Sequence, residues 1–311
     1  MKKNKPSFAK ASEGKPKLVV IVGPTASGKT ALSLKLAKKW KGEIVSADSR
    51  AIYKKLDIGS AKPTKKEQQV VPHHLIDLVE PDKVLTLAQY KELATAKISD
   101  IASRKKMPFL VGGTALYVYA VIDNWQIPEV PPNKKLRAKL EKQSAEKLYK
   151  QLLTKDPKVK NFIDPKNKRR IIRALEIISA TKKLFSEQRK KGVPLFDTLI
   201  IGVKKPPAEL KKIISARTKK MIKAGLIKEV ANLLRKKYSP KLPALSGIYY
   251  KEIITYLRKE ITLPEAIVLI NKNDEQLVRH QLTWFKRDRR IRWVKNYTQA
   301  NSLMKKFLSR F

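Results

Sequence analysis

Residues 17–30 read KLVVIVGPTASGKT. The apolar run in Lys17–Val22 passes straight into Gly23-Pro24-Thr25-Ala26-Ser27-Gly28-Lys29-Thr30, and Leu32, Leu36 and Trp40 follow at helical spacing. A buried strand, a glycine-rich turn and a helix in that order form a phosphate-binding loop of the pattern G-x-x-x-x-G-K-[ST]. The backbone N–H groups of Gly28 to Thr30 are expected to line an anion nest at the helix N-terminus. Lys29 adds a point charge for phosphate oxygens, and the Thr30 hydroxyl can ligand Mg2+.

The rest of the chain extends this beginning. A helix is expected over Ala31–Trp40, with Gly42 as its stop. Glu43–Ala47 is a second short strand ending at Asp48, and His74–Leu78 is a third candidate. Thr86 with Gln89 opens a helix to about Arg104, and Pro108–Val111 is a further strand closed by Gly112-Gly113-Thr114. Strands alternating with helices predict an α/β fold with a P-loop kinase-like parallel sheet. The segment IPEVPP at 127–132 is a stiff break, and residues 136–180 read as entirely helical. Gly192-Val193-Pro194 is a second break, after which Leu199–Val203 returns as a strand. Pro207 opens a helix to Ala224, stopped by Gly225, and another runs from Pro264 towards Trp284. The last fifteen or so residues read as weakly ordered. The expected organisation is a flexible basic tail at 1–16, a catalytic core at 17–127 and 193–311, and a helical insertion at 128–192.

Composition narrows the function. Hydrophobic residues make up 42% of the 311, enough for a real core. No uninterrupted apolar run reaches membrane-spanning length, so no membrane partner is expected. The chain has no cysteine, which excludes disulfides and thiolate metal sites and fits a cytoplasmic enzyme. The formal net charge of +43 favours polyanionic partners; the alternative is lysine spread over solvated faces. A monomer is expected, since no heptad or apolar interface patch stands out.

A phosphate loop does not name its phosphate. Nucleotide hydrolases and kinases usually carry a second apolar strand ending in a magnesium-binding Asp, yet PFLV ends in Gly112-Gly113. The strand that does end in Asp is EIVSA, at Asp48. Strand C-termini of a parallel sheet share one edge, where ligands bind, so Asp48 should face the phosphate loop as a general base, an amine ligand, a metal ligand or a helix cap. Ile213, Arg217 and Met221 share one helix face. A guanidinium in that apolar stripe needs a partner, either an internal carboxylate or a diphosphate. Arg169 and Arg173 share a face suited to tracking phosphates, or simply to solvent. His73 and His74 have no third metal ligand nearby and read as structural. Trp284 and Phe285 read as core before base-stacking residues.

Taken together, the blocks GPTASGKT at 23–30, SADSRAIYKKLDIGSAKPT at 46–64, HHLID at 73–77, LVGGTALY at 110–117, DPKNKRRIIRALE at 164–176, ARTKKMIKAGLIKEV at 216–230 and HQLTWFKR at 280–287 resemble the tRNA dimethylallyltransferases, also called tRNA isopentenyltransferases. The resemblance covers nearly the whole chain after the tail. It implies a nucleotide-kinase-like core with a helical insertion, and transfer of a prenyl group from dimethylallyl diphosphate to N6 of the adenosine beside the anticodon of tRNA, with Mg2+ assisting. By position it implies Asp48 as general base, and Thr25, Gly28, Lys29, Thr30 and Arg217 on the diphosphate. It assigns tRNA contacts to Asp48, Ser49, Arg50 and Ala51, to Thr114, and to Arg169, Arg170, Ile171, Ile172 and Arg173. The target adenosine must leave its stack to be reached.

Three positions depart from the family's pattern. Tyr249 stands where a glycine is common, Asp274-Glu275 where a Thr-Arg pair is common, and Ile213 where a basic residue is common. The first two are expected to alter tRNA docking and the third the grip on diphosphate. Competing functions are prenylation of free adenine nucleotides, an ATP-dependent small-molecule kinase, and non-catalytic RNA binding.

Overall fold

The computed structural model describes residues 14–188 and 190–309. The expected tail therefore lies, up to residue 13, outside the described residues. In chain order the elements are β1 (Lys17–Val22), α1 (Lys29–Lys39), β2 (Gly42–Ser46), α2 (Lys65–Val70), β3 (His73–His74), α3 (Leu87–Ser103), β4 (Met107–Gly112), α4 (Ala115–Ile122), β5 (Trp125–Gln126), α5 (Lys134–Glu141), α6 (Ala145–Lys155), α7 (Lys168–Thr181), β6 (Lys190–Lys191), β7 (Asp197–Val203), α8 (Pro207–Lys223), α9 (Leu226–Arg235), α10 (Tyr250–Leu257), α11 (Leu263–Phe285), β8 (Arg292–Val294) and α12 (Tyr297–Leu308).

Among the described residues two compact units result, one of residues 14–85, 92–118 and 195–309, the other of residues 86–91 and 119–194. The larger is built on a six-stranded parallel sheet in the order β3-β2-β4-β1-β7-β8. The expected P-loop-type α/β sheet is thus present. Leu18 to Val22 are buried because β1 lies between β4 and β7 and is covered on both faces. That is why it reads as a continuous apolar run and not an alternating one. Leu32, Leu36 and Ala37 of α1 pack on one side of it with Phe109, Ile201 and Val203.

The smaller unit folds round a core of its own. Leu140, Leu148, Leu152, Val159, Ile163, Ile171 and Leu175 interlock α5, α6 and α7. Two of its buried carboxylates are satisfied internally: Asp156 accepts from the amide and hydroxyl of Ser186 at 2.7 and 2.8 Å. Buried Glu176 accepts from the Asn133 amide at 2.6 Å and from both Nε and Nη2 of Arg137 at 2.8 and 2.7 Å.

Local chemistry overrides four expectations. The first helix ends at Lys39, and Gly42 opens β2 opposite Met107. The third strand shrinks to His73–His74 because Leu75 and Asp77 adopt positive φ, 60° and 54°. The stretch 136–180 is three helices. Ser144 caps α6, Asn167 caps α7, and Pro157 breaks the run between them. Up to residue 309 the C-terminal stretch is helical where weak order was expected: Asn296 caps α12, whose Ala300, Met304 and Phe307 are buried against the sheet. The Lys17 ammonium donates to the Phe307 carbonyl at 2.9 Å, which satisfies one of the orphan C=O groups of that helix.

Candidate active site

The loop between β1 and α1 is held open from several directions. Gly28, the N-cap of α1, sits at φ 90° and ψ 17°, a left-handed conformation that costs glycine little. No side chain caps α1 and no acidic residue lies in its first turn, so its N-terminal amides and dipole remain for an anion. Lys29 folds back to the Pro24 carbonyl at 2.7 Å. Burial pushes its pKa down to about 8, with the positive field of Arg217 in the same direction and the charge of Asp48 opposing. Ser27 Oγ is buried with no hydrogen-bond partner among the described residues, an unmet polar atom in a loop shaped for phosphate.

Gln281 of α11 is a site residue that motif reading passed over. Its Oε1 accepts from the Thr25 amide at 2.7 Å and its Nε2 donates to the Gly113 carbonyl at 3.0 Å. One amide thereby ties the phosphate loop to the loop after β4. Only its place in the HQLTWFKR block signalled it; a lone Gln on an amphipathic helix carries no chemical signature.

Asp48 leaves the end of β2. Its position is fixed because the β4 loop approaches so closely: a Cβ on Gly112 would lie 2.0 Å from the Ala47 carbonyl oxygen. The Thr114 amide donates to that same carbonyl at 3.2 Å, and the Ser49 amide donates to Thr114 Oγ1 at 3.0 Å. Thr114 is thus a brace for the Asp48 loop. Asp48 Oδ1 accepts from the Arg50 amide at 2.8 Å and the Ala51 amide at 3.4 Å. Its Oδ2 has no hydrogen-bond donor among the described residues. Asp48 therefore caps its own turn with one oxygen and leaves the other without a donor among the described residues. The Arg50 guanidinium bonds the carbonyls of Pro243 and Ala244, and the Ala51 side chain is buried.

Arg217 projects from α8. Its partner is internal: Nη2 donates to Asp274 Oδ2 at 2.6 Å. The Tyr249 hydroxyl donates to the same oxygen at 2.5 Å, and the guanidinium lies 5.7 Å from the centre of the Tyr249 ring. Burial works against the charge on Arg217, but Tyr249 and Asp274 outweigh it and raise its pKa. Two of the three departures from the family pattern therefore fall on Arg217. Glu275 sits beside Lys211 at 4.0 Å, and Ile213 is half-buried one turn before Arg217.

The remaining candidates divide cleanly. Arg169 and Arg170 are exposed on α7, whereas Ile171 and Ile172 are buried in the helical core. Arg173 does not join Arg169 on a free face; it donates to Glu176 at 2.5 Å and to the Val130 carbonyl at 2.9 Å. His73 bonds the Val71 carbonyl and His74 bonds Glu43, each at 2.7 Å, and no cluster of three metal-ligating side chains occurs among the described residues. Phe285 is core, while Trp284 is partly exposed.

A parallel-sheet core with a phosphate loop, a free carboxylate oxygen at the end of the next strand but one and an arginine from a later helix defines a P-loop group-transfer enzyme acting on a phosphorylated substrate. The sequence model described as IPP transferase matches residues 51–288. A tRNA dimethylallyltransferase of Roseiflexus sp. (strain RS-1) is 49% identical over 274 residues, covering 87% of this chain and 90% of that one. The solved full-length tRNA isopentenylpyrophosphate transferase of Bacillus halodurans superposes with a TM-score of 0.70 at 35% identity, covering 94% of this chain and 95% of that one. A eukaryotic dimethylallyltransferase solved acting on tRNA gives 0.78 at 26% identity, covering 93% and 77%. The chain belongs to the IPP transferase family, that of the tRNA dimethylallyltransferases, as the resemblance implied.

Proposed function

We propose that this enzyme transfers a dimethylallyl group from dimethylallyl diphosphate to N6 of the adenosine beside the anticodon of tRNA and releases diphosphate. The observation that carries the reading is the division of labour at Asp48: Oδ1 bound to its own turn, Oδ2 free, and its charge felt by Lys29. The adenine N6 lone pair is delocalised into the ring, so the amine is a poor nucleophile. Oδ2 accepts its proton as N6 forms a bond to the allylic carbon. The carbon–oxygen bond to the diphosphate breaks with its electron pair going to the leaving group. The α1 amides, Lys29 and Arg217 stabilise the charge that develops there. Thr25 contributes from the loop that Gln281 fixes.

Mg2+ fits the loop. The Thr30 side chain is exposed on α1 with no protein partner among the described residues, and a P-loop cation needs one hydroxyl together with phosphate oxygens and water. Bound there, it would neutralise charge on the departing diphosphate.

On the tRNA side, we assign the exposed Arg169 and Arg170 to phosphates of the anticodon stem-loop, with Ile171, Ile172 and Arg173 holding the helix that presents them. Residues 128–192 then act as the insertion that meets tRNA, and Ser49, Arg50, Ala51 and Thr114 shape the entrance beside Asp48. The protein is assigned to the cytoplasm as a monomer. No helix among the described residues is long and apolar enough to cross a membrane.

Mass analysis of tRNA nucleosides after incubation with donor and Mg2+ tests this. A five-carbon adduct on adenosine is expected. Its absence from every anticodon stem-loop with the required adenosine would sink the proposal. Modification of AMP in competition with tRNA would favour the free-nucleotide reading.

A further inference from the structure

Tyr249 has a backbone that its side chain does not want. It sits at φ 78° and ψ −51° at the start of α10, the strained γ-turn region that a glycine enters freely and a bulky residue rarely does. Its amide is held by Glu252 Oε2 at 2.8 Å, so the turn is fixed from outside. What the tyrosine gains is at the other end of the side chain. Its hydroxyl reaches Asp274 Oδ2, the atom that also receives the Arg217 guanidinium, and its ring lies against that guanidinium. Tyr249 and Asp274 are 4% and 1% exposed.

Arg217 is the residue with most to gain from such a support. Lys29 feels its positive charge, so two cations sit near each other by the phosphate loop and repel. Only one guanidinium nitrogen of Arg217 is committed to Asp274, and Nε is buried without a partner among the described residues. An arginine held by one corner keeps the rest of its fork for an anion.

We propose that Tyr249 and Asp274 act as one positioning unit, which fixes the Arg217 guanidinium for the leaving diphosphate of the prenyl donor. This rests on the function proposed above. Tyr249 locks the carboxylate, the carboxylate locks the guanidinium, and the backbone strain at Tyr249 is retained for that contact. The two positions are coupled through a single oxygen atom, Asp274 Oδ2.

The test is a set of single-turnover prenyl transfers to tRNA by the full-length enzyme. Tyr249→Phe and Asp274→Asn should each slow transfer by about ten- to a hundredfold through misplacement of one group, with the KM for tRNA unchanged. In an Arg217→Ala background neither should slow it further, because both act through that residue. A fold defect would lower activity in that background as well. Tyr249→Phe leaves the ion pair intact and carries the test alone if Asp274→Asn is insoluble. Rates within twofold of the parent, or equal losses with and without Arg217, would overturn the inference. A parent enzyme that transfers nothing would instead overturn the function on which it rests.

Discussion

Raising the pH through 8 should loosen the enzyme's hold on its prenyl donor, and Lys29 is the reason. Burial holds its pKa in the free site at about 8, well below the usual lysine value of 10.5. A group with a lowered pKa loses its proton as the pH climbs through that value, so the ammonium disappears where an ordinary lysine would keep it. A bound diphosphate reverses the shift by favouring the charged form. If only the ammonium form binds, donor KM should be about twice its plateau at pH 8, about elevenfold higher at pH 9 and about a hundredfold higher at pH 10. The assay is donor KM from pH 7 to 10 at saturating tRNA and constant ionic strength. Calorimetry of pyrophosphate binding in two buffers at pH 9 should show uptake of about one proton. Lys29→Arg, whose guanidinium stays charged throughout, should abolish both the rise and the uptake. A flat wild-type KM across that range would refute the reasoning.

Asp48→Ala should slow prenyl transfer by about a hundred- to ten-thousandfold, while tRNA affinity in filter binding stays within about threefold. Gln281→Leu removes two bonds that tie the phosphate loop to Gly113. It should cost about 1–2 kcal/mol in urea titrations and lower kcat more than tRNA affinity. Arg169→Ala and Arg170→Ala should each flatten the slope of log affinity against log salt by about 0.7–0.9, without changing kcat. Glu176→Gln should destabilise the smaller unit by about 1–3 kcal/mol, read by thermal melts. Burial alone would raise the Glu176 pKa, but its bonds from Arg137, Arg173 and the Asn133 amide hold it at about 2. Its stabilising contribution is therefore present at neutral pH and is lost as the pH falls below the ordinary carboxylate range; a melting difference between the two proteins that persists at pH 2 would count against this.

What could be read from the sequence follows from where information is local. Lys17–Thr30 declared itself because strand, turn and helix signals lie side by side. Asp48 was found by topology, since parallel strands deliver their ends to one edge. The partner of Arg217 could not be found in that way. Asp274 is 57 positions away on another helix, and both an internal carboxylate and a diphosphate satisfied the local pattern. The structure supplies the carboxylate. The departures at Tyr249 and Asp274 are visible as oddities, but only a shared oxygen atom reveals that they meet as one feature at Arg217. The stretch at 136–180 is helical as its sequence reads, but its breaks are less visible because hydrophobic periodicity runs through them, while Ser144 and Asn167 mark them only as caps. At the C-terminus, apolar residues at helical spacing were discounted for their position in the chain.

The strand order carries a cost during synthesis. Val20 pairs with Leu110 on one side and with Ile200 on the other. At typical ribosomal rates the second neighbour emerges about 5–20 s after the first. In that interval the ribosome is making the helical unit, and LVVIV waits with one row of N–H and C=O groups unpaired. An uncharged apolar edge is a template for another strand. The most vulnerable species in the life of this enzyme is thus a nascent chain of roughly 120–200 residues, and loss of material to association between polysomes should depend on the speed of translation between β4 and β7 more than on the stability of the finished fold.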